Sequence, residues 1–176
     1  MGTFSRKYCD KKVNFVEIDT ANAGDVVAIR NIAKYWRNSL YVDCICDTAM
    51  QKYNGNDYFK PYKLYAMTLQ KDELEKLDDK KILGIVEIIK PHESKSSINL
   101  HHIEVNPEYI YSQNSKYKGI GTAMIKSLQD MYYQINLISR RTKSVKNFYK
   151  KNNFTEYPPE SGIFIWSKDI FLNFIN

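Results

Sequence analysis

Cysteine is scarce in this chain, and the few cysteines it has are not spaced as pairs. The 176 residues contain three of them, Cys9, Cys44 and Cys46, and no C-x-x-C motif. An odd number of thiols gives no basis for a disulfide framework and suits a reducing compartment, so we expect a cytoplasmic protein. Cys44 and Cys46 have no histidine near them in sequence, which favours two small buried thiols over a metal site.

Long apolar runs are also missing. No stretch approaches the roughly 20 apolar residues of a membrane-spanning helix, so we expect no membrane partner. Residues 1–12 are polar and lysine-rich, without the apolar core of a secretory signal. The chain does have 43% hydrophobic and 14% aromatic residues, which is enough to fill a core. This composition predicts one folded domain over residues 1–176.

Acidic residues are absent from one basic segment. The whole chain carries a net charge of +6, and residues 140–151 contain six basic side chains with no acidic one among them. Such a cluster is typical of a surface that binds an anionic partner such as nucleic acid, and the alternative is a solvated helix face. The six residues, called the basic cluster below, are Arg140, Arg141, Lys143, Lys146, Lys150 and Lys151.

Hydrophobic periodicity predicts the mixture of strands and helices that is typical of an α/β fold. Asp25 is placed to cap a first helix, whose apolar residues recur at three to four positions from Val26 to Leu40. Further helices are predicted over residues 42–53, after the glycines near 120, and within 142–154. The predicted strands are 13–18, 62–69, 82–89, 98–106, 135–139, 155–157 and 163–168.

Two glycines stand one residue apart, between a predicted strand and a predicted helix. Gly119 and Gly121 let the backbone turn tightly and approach a ligand closely. The first N–H groups of the following helix have no partner within it, and the helix dipole favours negative charge there. Lys116 and Lys118 add positive charge at the same place. A diphosphate group suits such a site, and the alternative is a turn that only begins a helix.

Two common diphosphate-binding motifs do not fit this turn. The P-loop requires Gly-Lys followed by Ser or Thr, but Gly121 is followed by Thr122 and Ala123. The dinucleotide fingerprint requires a third glycine where Met124 stands, and it begins a βαβ unit, whereas this turn lies about two thirds of the way along the chain. Neither motif therefore explains the two glycines.

A third pattern does fit. The run Leu100-x-x-Ile103-x-Val105-x-Pro107, followed by residues 118–123, resembles the acetyl-CoA pyrophosphate signature (R/Q-x-x-G-x-G/A) of the GNAT N-acetyltransferase superfamily. Lys116 takes the place of the usual first Arg or Gln. About 25 residues downstream, 142–154 resemble the family's second signature, N-x-x-A-x-x-L-Y-x-K-x-G-F. Two matches in the right order and at the right separation are stronger evidence for the resemblance than either match alone. The residues of the second signature in register are Phe148, Tyr149, Lys151 and Phe154.

The match departs from the family pattern at several points. In the second signature Thr142 stands where Asn is usual, Val145 where Ala is usual and Asn153 where Gly is usual. Asn tolerates the left-handed conformation that a helix C-cap needs, which explains Asn153. Residues 108–118 form a longer connection than the family usually has before the glycine turn. That loop is expected either to shape an acceptor pocket or to be a surface insertion.

The resemblance implies an α/β GNAT fold, a mixed central sheet flanked by helices in a single domain, with acetyl-CoA as co-substrate. In the family the motif strand pairs with the pantetheine amides, and a backbone N–H of that strand stabilises the oxyanion. The basic cluster then becomes a candidate for binding the 3′-phosphate of CoA. The cofactor-binding residues implied are Ile103, Val105, Lys116, Lys118, Gly119, Ile120, Gly121, Thr122, Ala123 and Thr142.

The resemblance also implies catalytic roles. Tyr149, the tyrosine of the second signature, reprotonates the leaving CoA thiolate, and the alternative for it is core packing. A base must remove a proton from the amine before or during its attack on the thioester. Glu104 on the motif strand is the first candidate for that base and His102 is the second, against the alternative of purely structural roles.

Strand alternation predicts which side chains of the motif strand share a face. Leu100, His102 and Glu104 are expected on one face, and His101 and Ile103 on the other. A β-bulge after Ile103 would reset that alternation, and bulges are common next to active sites.

The acceptor amine stays open at this level. A small amine or polyamine, a protein amine, an aminoglycoside and aminoacyl-tRNA all suit the family, and the basic cluster favours an anionic or nucleic-acid-linked acceptor. The rival hypothesis is a non-catalytic module, which would keep CoA as a bound ligand or bind RNA through its basic surface. No metal site is predicted. The apolar residues within 170–175 indicate either a homodimer contact or packing within the chain.

Overall fold

A single β-sheet forms the centre of the fold. The computed structural model describes residues 4–8, 11–36, 39–69, 76–92, 94, 96–111, 117–140 and 142–169. These residues contribute eight strands to the sheet. The strands are β1 (Phe4–Tyr8), β2 (Lys11–Glu17), β3 (Tyr62–Thr68), β4 (Ile82–Ile89), β5 (Ser97–Val105), β6 (Gln134–Ile138), β7 (Thr155–Glu156) and β8 (Ile163–Ser167).

The strand order makes the sheet mixed, as the resemblance implied. Across the sheet the order is β1-β2-β3-β4-β5-β6-β8-β7. Only β5 and β6 are parallel neighbours, and the other six pairs are antiparallel. The seven predicted strands are confirmed to within two residues at each end, except that β2 belongs to a hairpin. Its partner β1 was missing from the sequence-based prediction.

Helices cover both faces of the sheet. The described residues form α1 (Ala23–Tyr35), α2 (Val42–Tyr53), α3 (Pro107–Tyr111), α4 (Ile120–Met131) and α5 (Lys143–Lys151). One hydrophobic cluster joins α1 and α2 to β3 and β4. The other joins α4, Tyr149 of α5 and the opposite side of the same strands. In α4 the apolar face is confirmed, since Ile120, Met124 and Leu128 are buried and Met131 is half-buried. None of the described helices has the length and apolarity needed to cross a membrane.

The start of α1 corrects one prediction. Asn22, not Asp25, caps this helix, and its side chain accepts a hydrogen bond from Gly24 N. Asp25 lies in the first turn, where its carboxylate accepts from Leu77 N at 3.1 Å and so ties the helix to the segment before β4. Leu40 lies beyond the end of α1 and is 60% exposed, so it is not part of the apolar stripe.

The two cysteines of α2 differ in their surroundings. Cys46 is buried, its Sγ donates to Ile29 O at 3.0 Å, and burial raises its pKa to about 12. Cys44 is exposed, so the prediction of two buried thiols is wrong for this residue, because the helix turns it away from α1. Cys9, Lys116, Arg141, the loop residues 112–115 and the C-terminal residues 170–176 lie outside the described residues.

Gly84 fixes the distance between β4 and α4. A Cβ atom at this position would lie 2.7 Å from the Met124 thioether and 3.1 Å from the backbone oxygen of Glu104. Because the backbone oxygen cannot move aside, we expect Gly84→Ala to lower the free energy of unfolding by about 1–3 kcal/mol in urea denaturation. The double variant with Met124→Ala should lose less than the sum of the two single losses. Strict additivity would contradict the proposed overlap.

Candidate active site

A cleft opens where β5 and β6 separate. The parallel register between these strands runs from Ser97↔Gln134 to Leu100↔Leu137 and stops there. Beyond that point the cleft has a volume of about 1010 Å³. Its walls come from β5, the glycine turn and start of α4, the end of β6, and α5. The glycine turn of the first signature and helix α5 of the second signature therefore line the same cleft.

The free edge of β5 faces this cleft. Asn106 N donates to Leu83 O at 2.9 Å, which directs the backbone of Asn106 toward β4. Backbone groups of alternate residues point to the same edge of a strand, so the N–H and C=O groups of Glu104 also point toward β4. Ile103 and Val105 then direct their N–H and C=O groups to the opposite edge, where β6 has diverged. Both residues line the cleft.

The glycine turn presents the N-terminus of α4 to the same cleft. Gly119 is the N-cap residue and has a φ of 82°, a left-handed conformation that favours glycine. Gly121 leaves little room for a side chain, since a Cβ there would lie 3.3 Å from the Phe148 ring of α5. Ile120, Gly121 and Thr122, whose N–H groups belong to the first turn, line the cleft together with exposed Lys118.

Two residues assigned to the cofactor by the sequence do not line the cleft. Ala123 is fully buried in the core, and its N–H donates to Gly119 O at 2.9 Å. Thr142 is the N-cap residue of α5, where its hydroxyl accepts from Val145 N. The cleft wall at the start of α5 is formed instead by Ser144, Val145 and Phe148.

Tyr149 lies on the wall formed by α5. Its side chain packs against the rings of Phe148, Phe154 and Phe164, with centroids 5.1–5.6 Å away, so part of its role is in the core. It is nonetheless one of the residues that line the cleft. Burial, with a smaller contribution from Tyr41, raises the pKa of Tyr149 to about 12, and the phenol therefore stays protonated at neutral pH.

A β-bulge in β5 gathers two histidines on one carboxylate. Glu87 of β4 pairs with His102 while Ile88 pairs with Leu100, which leaves His101 as the extra residue. The bulge therefore lies before Ile103 and not after it. His101 Nδ1 lies 2.8 Å from Glu87 Oε2, and His102 Nδ1 contacts the same oxygen.

This bulge overturns the predicted alternation along the strand. Leu100, Ile103 and Val105 belong to the core on the α4 side. His101 and His102 share the other face with Glu87, because the extra residue lets two successive side chains point the same way. Leu100 is thus separated from His102, and His101 from Ile103, contrary to the prediction.

The comparisons with known proteins concern the fold. No protein-family model matches the sequence, and no curated protein matches it either. The N-acetyltransferase PseH from Campylobacter jejuni in complex with acetyl coenzyme A superposes with a TM-score of 0.54, at 12% identity over 89% of this chain and 99% of its own. Mutant forms of the spermidine/spermine N-acetyltransferase SpeG from Vibrio cholerae superpose with a TM-score of 0.56, at 14% identity over 93% of this chain and 98% of SpeG. AtaT complexed with acetyl-methionyl-tRNAfMet superposes with a TM-score of 0.54, at 10% identity over 93% of this chain and 99% of AtaT.

The chain has the GNAT acetyltransferase fold. The fold expected from the two signatures is therefore confirmed, although the identities of 10–14% carry no information about activity. In this GNAT fold the diverging pair is β5 and β6, and the bulged histidine pair lies on β5 beside the opening.

Glu104 supports a loop of the GNAT fold. Its Oε1 accepts hydrogen bonds from Leu40 N at 3.2 Å and Tyr41 N at 3.0 Å, which hold the segment just before α2. Burial raises the pKa of Glu104, while hydrogen bonds from Ser39, Tyr41 and Leu40 act in the opposite direction. The carboxylate lines the cleft, but at least one of its oxygens already serves this loop.

Tyr41 links the two sides of the cleft. Its ring stacks on His102 with centroids 4.5 Å apart, and its hydroxyl accepts a hydrogen bond from Arg140 Nε at 2.9 Å. The Arg140 guanidinium also lies 5.3 Å from the centre of the Tyr41 ring. This contact could not be predicted from local sequence patterns, because 99 residues separate the partners.

Part of the basic cluster is neutralised within the fold. Lys146 Nζ lies 2.9 Å from Glu156 and 2.8 Å from Glu160, and Lys150 Nζ lies 3.5 Å from Glu156. Lys143 and Lys151 are exposed. The segment is thus less strongly positive than its sequence indicated, since acidic residues from β7 and the following turn pair with it.

Proposed function

We propose that this protein transfers the acetyl group of acetyl-CoA to a primary amine. The observation that carries the proposal is the meeting of two features in one cleft, the N-terminus of α4 at Gly119 and the free strand edge at Ile103 and Val105. The first suits a diphosphate, and the second suits an extended chain with amide groups. CoA carries both groups, joined in that order. The acetyl-CoA complexes of structural neighbours agree with this assignment.

In the proposed complex each part of CoA has its own partners. The diphosphate lies on the N–H groups of Ile120, Gly121 and Thr122, with Lys118 beside it and Lys116 as a further candidate. The pantetheine amides pair with Ile103 and Val105 as an additional strand would. Ala123 and Thr142 do not contact CoA in this proposal; the buried Ala123 packs α4 against the core, and Thr142 caps α5. The members of the basic cluster proposed to attract the 3′-phosphate are Arg140, which lines the cleft, and the exposed Lys143 and Lys151.

The reaction then proceeds by direct attack of the amine on the thioester. The amine nitrogen forms a bond to the carbonyl carbon while one of its protons passes to a base, and the oxyanion accepts from a backbone N–H on β5. The C–S bond breaks, and Tyr149 gives its phenolic proton to the sulfur. Solvent returns the proton from the base to the phenolate. His102 is the better placed base, because Glu104 already accepts hydrogen bonds from the loop before α2.

The acceptor class is left open by these residues. Structural neighbours include a spermidine/spermine N-acetyltransferase and a protein complexed with an acetylated aminoacyl-tRNA. A nucleic-acid-linked acceptor would rely on the basic cluster, and two of its lysines are paired with glutamates. That pairing reduces the argument for tRNA and leaves polyamines, protein amines and aminoglycosides as equal candidates.

Calorimetry with acetyl-CoA at two salt concentrations tests the proposal. We expect binding in the micromolar range, weakened at higher salt because the ligand is anionic. An amine screen would follow, with release of free CoA thiol as the readout. Absence of acetyl-CoA binding at either salt concentration, together with salt-dependent RNA binding, would overturn the proposal in favour of a non-catalytic basic module.

A further inference from the structure

A buried carboxylate beside the cleft is not explained by the stability of the fold. Glu87 is 1% exposed, on a strand whose other residues from Ile82 to Ile88 are apolar and buried. Burying a carboxylate costs free energy, and an apolar residue of similar volume often stabilises as well as a buried ion pair does. Oε2 receives both histidines, whereas Oε1 makes no hydrogen bond of ordinary geometry to the residues that the structure describes.

We propose that Glu87 is a positioning residue, which holds His102 in the Nδ1–H tautomer so that His102 Nε2 accepts the proton of the acceptor amine; this inference rests on the acetyl transfer proposed above. An ionised carboxylate can only accept hydrogen bonds, so an imidazole nitrogen that contacts it must carry hydrogen. In a neutral imidazole the other nitrogen is then an acceptor. The lone pair needed by a base is thereby fixed on Nε2.

The ionised state of Glu87 follows from its hydrogen bonds. Burial alone would raise its pKa, but the contacts of Oε2 with His102 and His101, together with the polar Thr48 nearby, outweigh burial and hold the pKa of this carboxyl below its usual value. Glu87 therefore stays an acceptor at neutral pH. Carboxylate, imidazole and cleft lie in series, an arrangement in which the carboxylate orients the imidazole and stabilises the imidazolium that forms.

The ring of His102 is fixed from more than one side. The bulge directs His102 toward Glu87, and Tyr41 stacks on the ring at 4.5 Å. His101 approaches the same carboxylate, but its side chain is 45% exposed and its ring meets Tyr62 edge-on. Both imidazoles line the cleft, but the His102 side chain is only 15% exposed, so it is the one of the two that is shielded from solvent.

Charged side chains from several elements surround His102. Glu87 faces it from β4 and Glu104 from its own strand. The pKa of Glu87 is lowered because hydrogen bonds from the histidines outweigh its burial, whereas burial raises the pKa of Glu104. Arg140 reaches Tyr41 on the far side of the stacked ring. His101 competes for the same Oε2 from the solvent side. Two carboxylates and one guanidinium thus leave a net negative surrounding for the imidazolium formed by proton transfer.

Imidazole NMR on the whole chain tests the tautomer directly. The chain has three histidines, so nitrogen-resolved ring spectra can be assigned with single His→Gln variants, with exposed His92 as the reference ring. Spectra are recorded from roughly pH 5 to 9 with a chelator present, so that no metal ion holds the rings. We expect His102 in the Nδ1–H form once neutral. A neutral His102 that carries its hydrogen on Nε2 would overturn the proposal, whatever the variants do.

Glu87→Gln provides the second measurement. The amide loses the negative charge and replaces one acceptor oxygen with a donor NH2 group, so the preference of His102 for the Nδ1–H tautomer is expected to weaken. Glu156→Gln is the matched control, since the Glu156 side chain is also only 5% exposed and paired, but with Lys146 and away from the histidines. It should leave both ring spectra unchanged. If Glu87→Gln folds, as judged by thermal unfolding, and leaves both the tautomer populations and kcat as they were, the proposal is wrong.

Kinetics separate this inference from the proposed function. With an amine from the screen, Glu87→Gln should lower kcat about a hundredfold and leave the KM for acetyl-CoA unchanged. An unchanged kcat would exclude the positioning role while acetyl transfer stood. If acetyl-CoA failed to bind the native chain, the proposed function would fail, and the tautomer spectra would still report whether Glu87 orients His102.

Discussion

Replacement of Tyr149 by phenylalanine is expected to lower the turnover of acetyl transfer about a hundredfold and to leave the affinity for acetyl-CoA unchanged. The variant keeps the ring that packs against Phe148, Phe154 and Phe164, so the wall of the cleft stays in place. Only the hydroxyl is lost, and with it the proton for the CoA sulfur. Steady-state rates with calorimetric binding of acetyl-CoA measure the two effects separately.

Tyr65→Phe is the matched control for this prediction. Tyr65 is also buried, and its hydroxyl shares a hydrogen bond of 2.8 Å with Tyr132 in the core. Removing it should cost about 1 kcal/mol of unfolding free energy and leave turnover unchanged. If Tyr149→Phe behaves in the same way, losing stability but not turnover, Tyr149 is a packing residue and the thiolate takes its proton from elsewhere.

The sequence was sufficient where local pattern and tertiary packing agree. Helix α2 was predicted with its observed bounds, Val42–Tyr53, because apolar residues recur at helical spacing and Gly55 follows with a φ of 77°. Asn153 has a φ of 67°, so the physical explanation for an Asn at the family's Gly position holds. The glycine turn was found because Gly119 is needed for a local backbone conformation, which a sequence records directly.

The parts that could not be predicted depend on residues distant in sequence. Strand β1 lies beside β2 at the edge of the sheet that the described residues form, and its sequence, FSRKY, has no clear alternation. The bulge at His101 is a property of the register with β4, so the side-chain alternation of β5 alone placed His101 and His102 on opposite faces. Glu87 lies 15 residues from His102, within a strand that reads as ordinary apolar core apart from this one carboxylate.

One signal for the histidine site was nevertheless present in the sequence. A glutamate within the apolar run Ile82–Ile89 breaks a pattern in which charges are costly. Two adjacent histidines on the next strand offered partners for it. A buried charge opposite imidazoles in neighbouring strands is a pairing that sequence reasoning could have tested, and the same reasoning would have moved His102 ahead of Glu104 as the base.

Thr122→Glu is expected to weaken acetyl-CoA binding about a hundredfold while stabilising the fold slightly. Thr122 is the third residue of α4 and lines the cleft, and the first turn of α4 has no acidic residue. A glutamate at this helix position interacts favourably with the N-terminal dipole by about 0.3–1 kcal/mol, so the free protein should unfold at the same or a higher temperature. The same carboxylate would repel a diphosphate placed on the neighbouring N–H groups.

Weaker acetyl-CoA binding combined with equal or higher stability of Thr122→Glu would identify a diphosphate site, because damage to the fold would reduce binding and stability together. Lys126→Gln is the matched control, since it changes the net charge by the same amount on an exposed position one turn further along α4. It should weaken binding only slightly, through long-range attraction that salt screens. Equal losses of acetyl-CoA affinity in both variants would mean that binding depends only on the overall charge of the protein. Unchanged binding by Thr122→Glu would place the diphosphate away from the helix N-terminus and leave the two glycines as a structural turn.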